Sequence, residues 1–169
     1  TVICMANTKP VVDNVESLEY ILEKGKKTGI HVLQAATVTK MMAGKELVDM
    51  KLLKEKGAVG FTDDGLPILD EKVLYEALSK AKELNMPISL HEEDPFFIDA
   101  PGVNKGSVSL ALGYGGADGT AEDLILILVT EHFAHAYTQI FNIRFVVFHR
   151  CGVLLLHSVT PGYHCKRAC

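Results

Sequence analysis

The 169-residue chain is 48% hydrophobic and carries 17 Lys and Arg against 21 Asp and Glu, a net charge of -4. That is enough for one domain with a real core but short for a complete eight-unit (β/α) barrel of roughly 250 residues. No basic stripe marks a nucleic-acid surface, and the four Cys, at 4, 151, 165 and 169, are too few and too unevenly spread for a disulfide scaffold, which points to a reducing, cytoplasmic compartment.

The opening TVICM has no initiator Met, basic region or cleavage site, which argues against a signal peptide and leads us to expect chain upstream. Apolar, strand-like runs then begin near Val2 (VICM), His31 (HVLQAA), Ala58 (AVGF) and Pro87 (PISL). Their intervals of 29, 27 and 29 residues are those of a βα repeat. In the first helical stretch Asp13, with Glu16 three residues on, predicts an N-cap and capping box, and Leu18, Ile21 and Leu22 supply the buried stripe. In the third, Asp70 caps, and Leu74, Ala77, Leu78 and Ala81 fall at i, i+3, i+4 and i+7. KKTGIHV, KEKGAVGF and KELNMPISL each place Gly or Asn after a Lys-bearing last turn, the pattern of a helix stop feeding a strand.

Short buried strands alternating with single helices require parallel pairing and right-handed crossovers. Polar residues collect where each strand ends: Asn7 and Thr8, Thr37 and Thr39, Asp63 and Asp64, then His91, Glu92 and Glu93. In a barrel all these ends meet at one mouth, where barrel enzymes place their chemistry. No GxGxxG or GxxxxGK[ST] follows any strand, so a nucleotide-binding sheet is disfavoured. The predicted fold is α/β, a partial TIM-type (β/α) barrel of about four βα units with an atypical C-terminal tail.

Each site residue also has an ordinary reading. Asp-Gly is common turn chemistry, Asn7 can bond its own loop, and Glu92, Glu93 and Asp94 can form a solvated turn. Their combination is more telling, because Asp64 and His91 at the tips of neighbouring strands offer a carboxylate oxygen and an imidazole nitrogen, normal parts of a zinc site. The glycine-rich LGYGGADG, residues 112 to 119, is expected to be a flexible loop leading to a helix capped within Thr120–Asp123.

Character changes near Asp123. Residues 1 to 123 hold 20 of the 21 acids, whereas residues 124 to 169 hold one acid, four bases, five of the seven His and three of the four Cys. The runs LILILV and VLLL are too short and too interrupted for a bilayer crossing of ~18 to 20 residues. His149, Cys151, His157, His164, Cys165 and Cys169 could bind zinc chemically, but their spacings follow no closed CxxC pattern. Residues 124 to 169 therefore read as a tail of uncertain origin, with the composition of a frameshifted segment, behind a domain at residues 1 to 123.

VICMANTKPVVD, GAVGFTDDG and LHEED, in this order and at these spacings, resemble the dihydroorotases of the cyclic amidohydrolase superfamily. The resemblance covers residues 1 to about 123. It implies a zinc-dependent barrel that interconverts N-carbamoyl-L-aspartate and L-dihydroorotate in pyrimidine biosynthesis. It also implies that Asn7 holds the substrate and that Asp64 and His91 ligate metal. Related hydantoinases and allantoinases usually carry a carboxylated Lys at the fourth strand; AVGF has no Lys, which leans the match toward dihydroorotases that use Asp. The family's His-x-His pair, its substrate-gripping Arg, a later His ligand and a general-base Asp have no counterpart in the matching stretch. The expectation is thus an enzyme piece that is inactive as given, with no catalytic residue assigned and a homodimer as a possible assembly. The competing expectations are a non-catalytic scaffold partner of aspartate transcarbamoylase, another cyclic amidohydrolase such as an allantoinase or hydantoinase, and a degraded fragment with no stable fold.

Overall fold

The structure is a computed structural model; it describes residues 1–91 and 93–125, together with the backbone of two later strands, 145–149 and 152–156. Strands β1 (Val2–Cys4), β2 (Val32–Ala36), β3 (Ala58–Thr62) and β4 (Ile88–Leu90) start within a residue of the apolar runs that predict them. Between them lie α1 (Val15–Gly25), α2 (Met50–Glu55) and α3 (Glu71–Glu83), followed by α4 (Ser107–Ala111), β5 (Phe145–His149) and β6 (Gly152–Leu156). The strands form one sheet in chain order. β1 through β5 pair in parallel, and β6 runs antiparallel to β5. The architecture is a partial (β/α) barrel with its helices packed on the sheet. Two elements differ from four plain βα units: β5 extends the parallel sheet from within the tail, and β6 returns beside it.

The helices form where periodicity and caps agree. In α3, Leu74, Ala77, Leu78 and Ala81 are all buried, and the Asp70 carboxylate accepts the N–H groups of Lys72 and Val73 at 2.9 and 3.3 Å. In α1, Leu18 is fully buried, and Ile21 and Leu22 pack against the same core. Its cap, however, is Asn14, whose Oδ1 accepts the Ser17 N–H at 3.0 Å. Asp13 is instead engaged by its neighbour and by a distant loop, accepting from the Asn14 side-chain amide at 2.8 Å and from the Met41 N–H at 3.0 Å. The stops behave as their residues require: Gly57 after α2 has φ 108° and Asn85 after α3 has φ 49°, the left-handed turn that Gly and Asn tolerate.

Core residues from Ala6 to Ile125 form one cluster between sheet and helices. The glycine-rich stretch is a loop, tied at its C-terminal end: Asp99 and Ala100 donate to the Gly116 carbonyl, and Ala117 donates to Val103 at 2.9 Å. Gly116 has φ 96°, and a Cβ there would lie 2.8 Å from the Lys105 nitrogen, so only glycine fits. The turn of helix at 120–125 is capped by Asp118, which takes both the N–H and O–H of Thr120. Those two bonds hold the Asp118 carboxyl below the usual carboxylate range. The sequence points to a cap within Thr120–Asp123, whereas the capping carboxylate lies two positions earlier.

Candidate functional site

Because β1 to β4 are parallel, the residues that follow them, Asn7, Thr37, Asp63 and His91, stand at one end of one sheet. The Asn7 side-chain amide donates to Asp64 Oδ2 at 2.7 Å, linking positions 57 residues apart. Asn7 follows β1 and Asp64 follows β3, so this bond passes over the end of β2. Strands are spaced about 4.8 Å apart, which in a flat sheet leaves roughly 10 Å between β1 and β3. The 2.7 Å contact therefore draws the exits of β1 and β3 together over the end of β2.

Asp63 and Asp64 separate as neighbours at a strand end do. Asp64 is partly exposed and faces Asn7. Asp63 is only 2% exposed. Its Oδ1 accepts the N–H groups of Val38 and Thr39 at 2.8 and 3.2 Å, and its Oδ2 accepts the Thr39 hydroxyl. Burial pushes the Asp63 carboxyl above the usual carboxylate range, against the pull of these bonds from Thr39 and Val38. Thr39 Oγ1 in turn accepts the Gly44 N–H at 3.0 Å, so the loop after β2 is fastened to the end of β3.

His91 sits directly after β4, with its Nε2 3.3 Å from Glu93 Oε2. Glu92, also expected at this edge, lies outside the described residues, as do the side chains of His149, Cys151, His157, His164, Cys165 and Cys169. The structure therefore joins Asn7 to Asp64 and sets His91 beside Glu93 at the same sheet end. The described residues do not complete a metal centre by themselves. Asp64 Oδ2 takes an amide, and among the described residues no group of three or more His, Cys, Asp or Glu is arranged to hold an ion. A catalytic zinc commonly has three protein ligands.

Two features of this end escape sequence reading. The binding of Thr39 to Asp63 is one, because a threonine three residues past a strand carries no signature. The other is His149, the last residue of β5, which pairs with β4 through Ser89–Val146 and Leu90–Val147 and so ends at the same edge as His91. Its signal was present, a His directly after the apolar run FVVF, but the composition of the tail obscured it. No helix among the described residues is long and apolar enough to cross a membrane.

A family model described as dihydro-orotase-like matches residues 1–138, continuing past the change of character at Asp123. A dihydroorotase of Clostridioides difficile is 56% identical over 126 residues, covering 75% of this chain and 30% of the relative. A dihydroorotase of Aquifex aeolicus is 38% identical over 174 residues, covering 96% of this chain and 41% of the relative. The chain thus spans between 30% and 41% of the length of these relatives. Among solved structures, an L-hydantoinase (dihydropyrimidinase) from Arthrobacter aurescens superposes with a TM-score of 0.61 at 16% identity, over 88% of this chain and 34% of the other, a likeness of fold.

Proposed function

The chain belongs to the dihydro-orotase-like family, and on that premise we propose that it is a segment of a cyclic amidohydrolase interconverting N-carbamoyl-L-aspartate and L-dihydroorotate in the cytoplasm. The observation that carries this reading is the Asn7–Asp64 hydrogen bond at the C-terminal end of the parallel strands. It gathers an amide and a carboxylate from two strand exits at the end where barrel enzymes act. In this reading Asn7 offers its amide to the substrate, while Asp64 and His91 belong to a zinc set whose other ligands come from outside the described residues. When bound, such an ion activates water and polarises an amide carbonyl. The chain's own residues hold the groups in place: Asn7 orients Asp64, and Glu93 orients the His91 ring.

The 169-residue chain alone should show no turnover of dihydroorotate above background, with or without added zinc, because Asp64 and His91 are one ligand short of the usual three. The decisive experiment grafts residues 1–125 in place of the matched segment of the Clostridioides difficile relative. The graft should turn over dihydroorotate, and Asn7→Ala, Asp64→Asn and His91→Ala should each abolish most of that rate. A folded graft that is inactive on dihydroorotate, or indifferent to Asp64→Asn, would overturn the reading.

A further inference from the structure

We propose that Asp63, the buried neighbour of Asp64, is a positioning residue that sets the Asn7–Asp64 pair; its role in catalysis rests on reading that pair as the functional site. The hydrogen bonds at this end of the sheet close a ring. Next to Asn7, the Ala6 carbonyl accepts the Val12 N–H at 3.0 Å, and the Val12 carbonyl accepts the Thr37 N–H at 2.9 Å. The following residues, Val38 and Thr39, donate to Asp63 at 2.8 and 3.2 Å. Asp63 is bonded to Asp64, and Asp64 accepts from Asn7 at 2.7 Å, which completes the circuit. The exits of β1, β2 and β3 are tied together, and Asp63 is the side-chain link between the second and third.

The place of β2 explains why that link reaches the site. β2 stands between the strands that carry Asn7 and Asp64. Where its exit lies decides how far apart those two residues are held, and Asp63 fixes that exit with three donors. The link calls for a side-chain oxygen acceptor. Two N–H groups converge on Oδ1 and the Thr39 hydroxyl on Oδ2. Burial at 2% exposure denies the group any alternative partner in water. Thr39 secures the link from the other side, because its hydroxyl oxygen also accepts the Gly44 N–H.

The side-chain amide of Asn7 reports on this directly by nuclear magnetic resonance of the full 169-residue chain labelled with nitrogen-15. Asp64→Ala gives the resonance position of Asn7 without its acceptor. Asp63→Ala should move the Asn7 pair most of the way to that position. Asp63→Asn, which keeps an oxygen for the Val38 and Thr39 N–H groups, should leave it near the wild-type position. Leu53→Ala, a core truncation away from the ring, should lower stability without moving it. Should Asp63→Ala fail to fold, Thr39→Val removes only the hydroxyl and should displace the pair part of the way. An Asn7 resonance unmoved by Asp63→Ala, or by Thr39→Val where the first is unfolded, would overturn the proposal. Inactivity of the graft described above would sink the functional reading while leaving these resonances unaffected.

Discussion

Asp63 and Asp64, one peptide bond apart, serve different strands: Asp63 receives the backbone of β2's exit at Val38 and Thr39, and Asp64 receives the side chain of Asn7 at the exit of β1. Removing Asp63 should therefore be far costlier for stability than removing Asp64. Asp63→Ala leaves two buried N–H groups without acceptors, each worth about 1–3 kcal/mol. We expect a loss of about 2–4 kcal/mol, read as a lower urea midpoint at unchanged slope. Asp63→Asn keeps one oxygen for those donors and should lose about 1 kcal/mol, while Asp64→Ala, at a partly exposed position, should lose less than that.

The pH dependence of the same carboxyl has a definite sign. Burial raises Asp63 in the folded state above its unfolded value, so the folded chain holds the proton more tightly than the unfolded one. The stability this confers is fully present below the unfolded value, about 3.9, and is lost as pH rises through the folded one. Comparing wild type with Asp63→Asn isolates the effect. The advantage of wild type over the variant should be greatest below about pH 4 and shrink toward neutrality, in urea midpoints taken at successive pH values. An advantage that grows with pH would mean that the hydrogen bonds outweigh burial.

Met41 and Met42 both have φ 55°, a conformation that costs a non-glycine residue about 1–2 kcal/mol. They differ in what their side chains do. Met41 is 74% exposed, whereas Met42 is 7% exposed and belongs to the core. Met41→Gly should thus stabilise the chain by about 0.5–1 kcal/mol, the relieved strain less the added freedom of the unfolded glycine. Met42→Gly should instead destabilise it by about 2 kcal/mol or more, since lost packing exceeds relieved strain. Thermal midpoints of the two variants moving in opposite directions would bear this out.

The strands and the buried face of α3 were legible because their signals are local. Period and caps at Asp70, Leu74, Ala77, Leu78 and Ala81 all point the same way, and tertiary structure had nothing to override. The cap of α1 was misread because Asp13 and Asn14 are both good caps, and the choice between them depends on Met41, a partner 28 residues away. At the site, parallel topology alone brings Asn7, Asp64 and His91 to one edge, so their gathering could be read from strand ends. The partners could not. That Asp64 meets Asn7 across β2, and that Asp63 takes Thr39, depends on how the loops leaving three strands converge, which no short stretch of sequence encodes. β6 lay beyond reach for a different reason: its run VLLL is equally consistent with a parallel or an antiparallel strand.

Where the folded unit stops can be measured by truncation. The core cluster among the described residues extends to Ile125, which is 4% exposed, two positions beyond the change in composition at Asp123. The composition reading sets residues 124 to 169 apart from the domain, and on that reading the residues beyond Ile125 add little to its core. A chain ending at Ile125 should unfold in urea as cooperatively as the full chain and at a similar midpoint. One ending at Asp123 should lose about 2–3 kcal/mol, the worth of burying one isoleucine. The opposing force is the edge of β4: β5 covers it through Ser89–Val146 and Leu90–Val147, and removing β5 leaves backbone groups of β4 unpaired. If that edge matters more than expected, the chain ending at Ile125 will unfold at much lower urea or aggregate. Either result would return the tail to the fold and make His149, at the end of β5, the first residue to test as a further ligand beside His91.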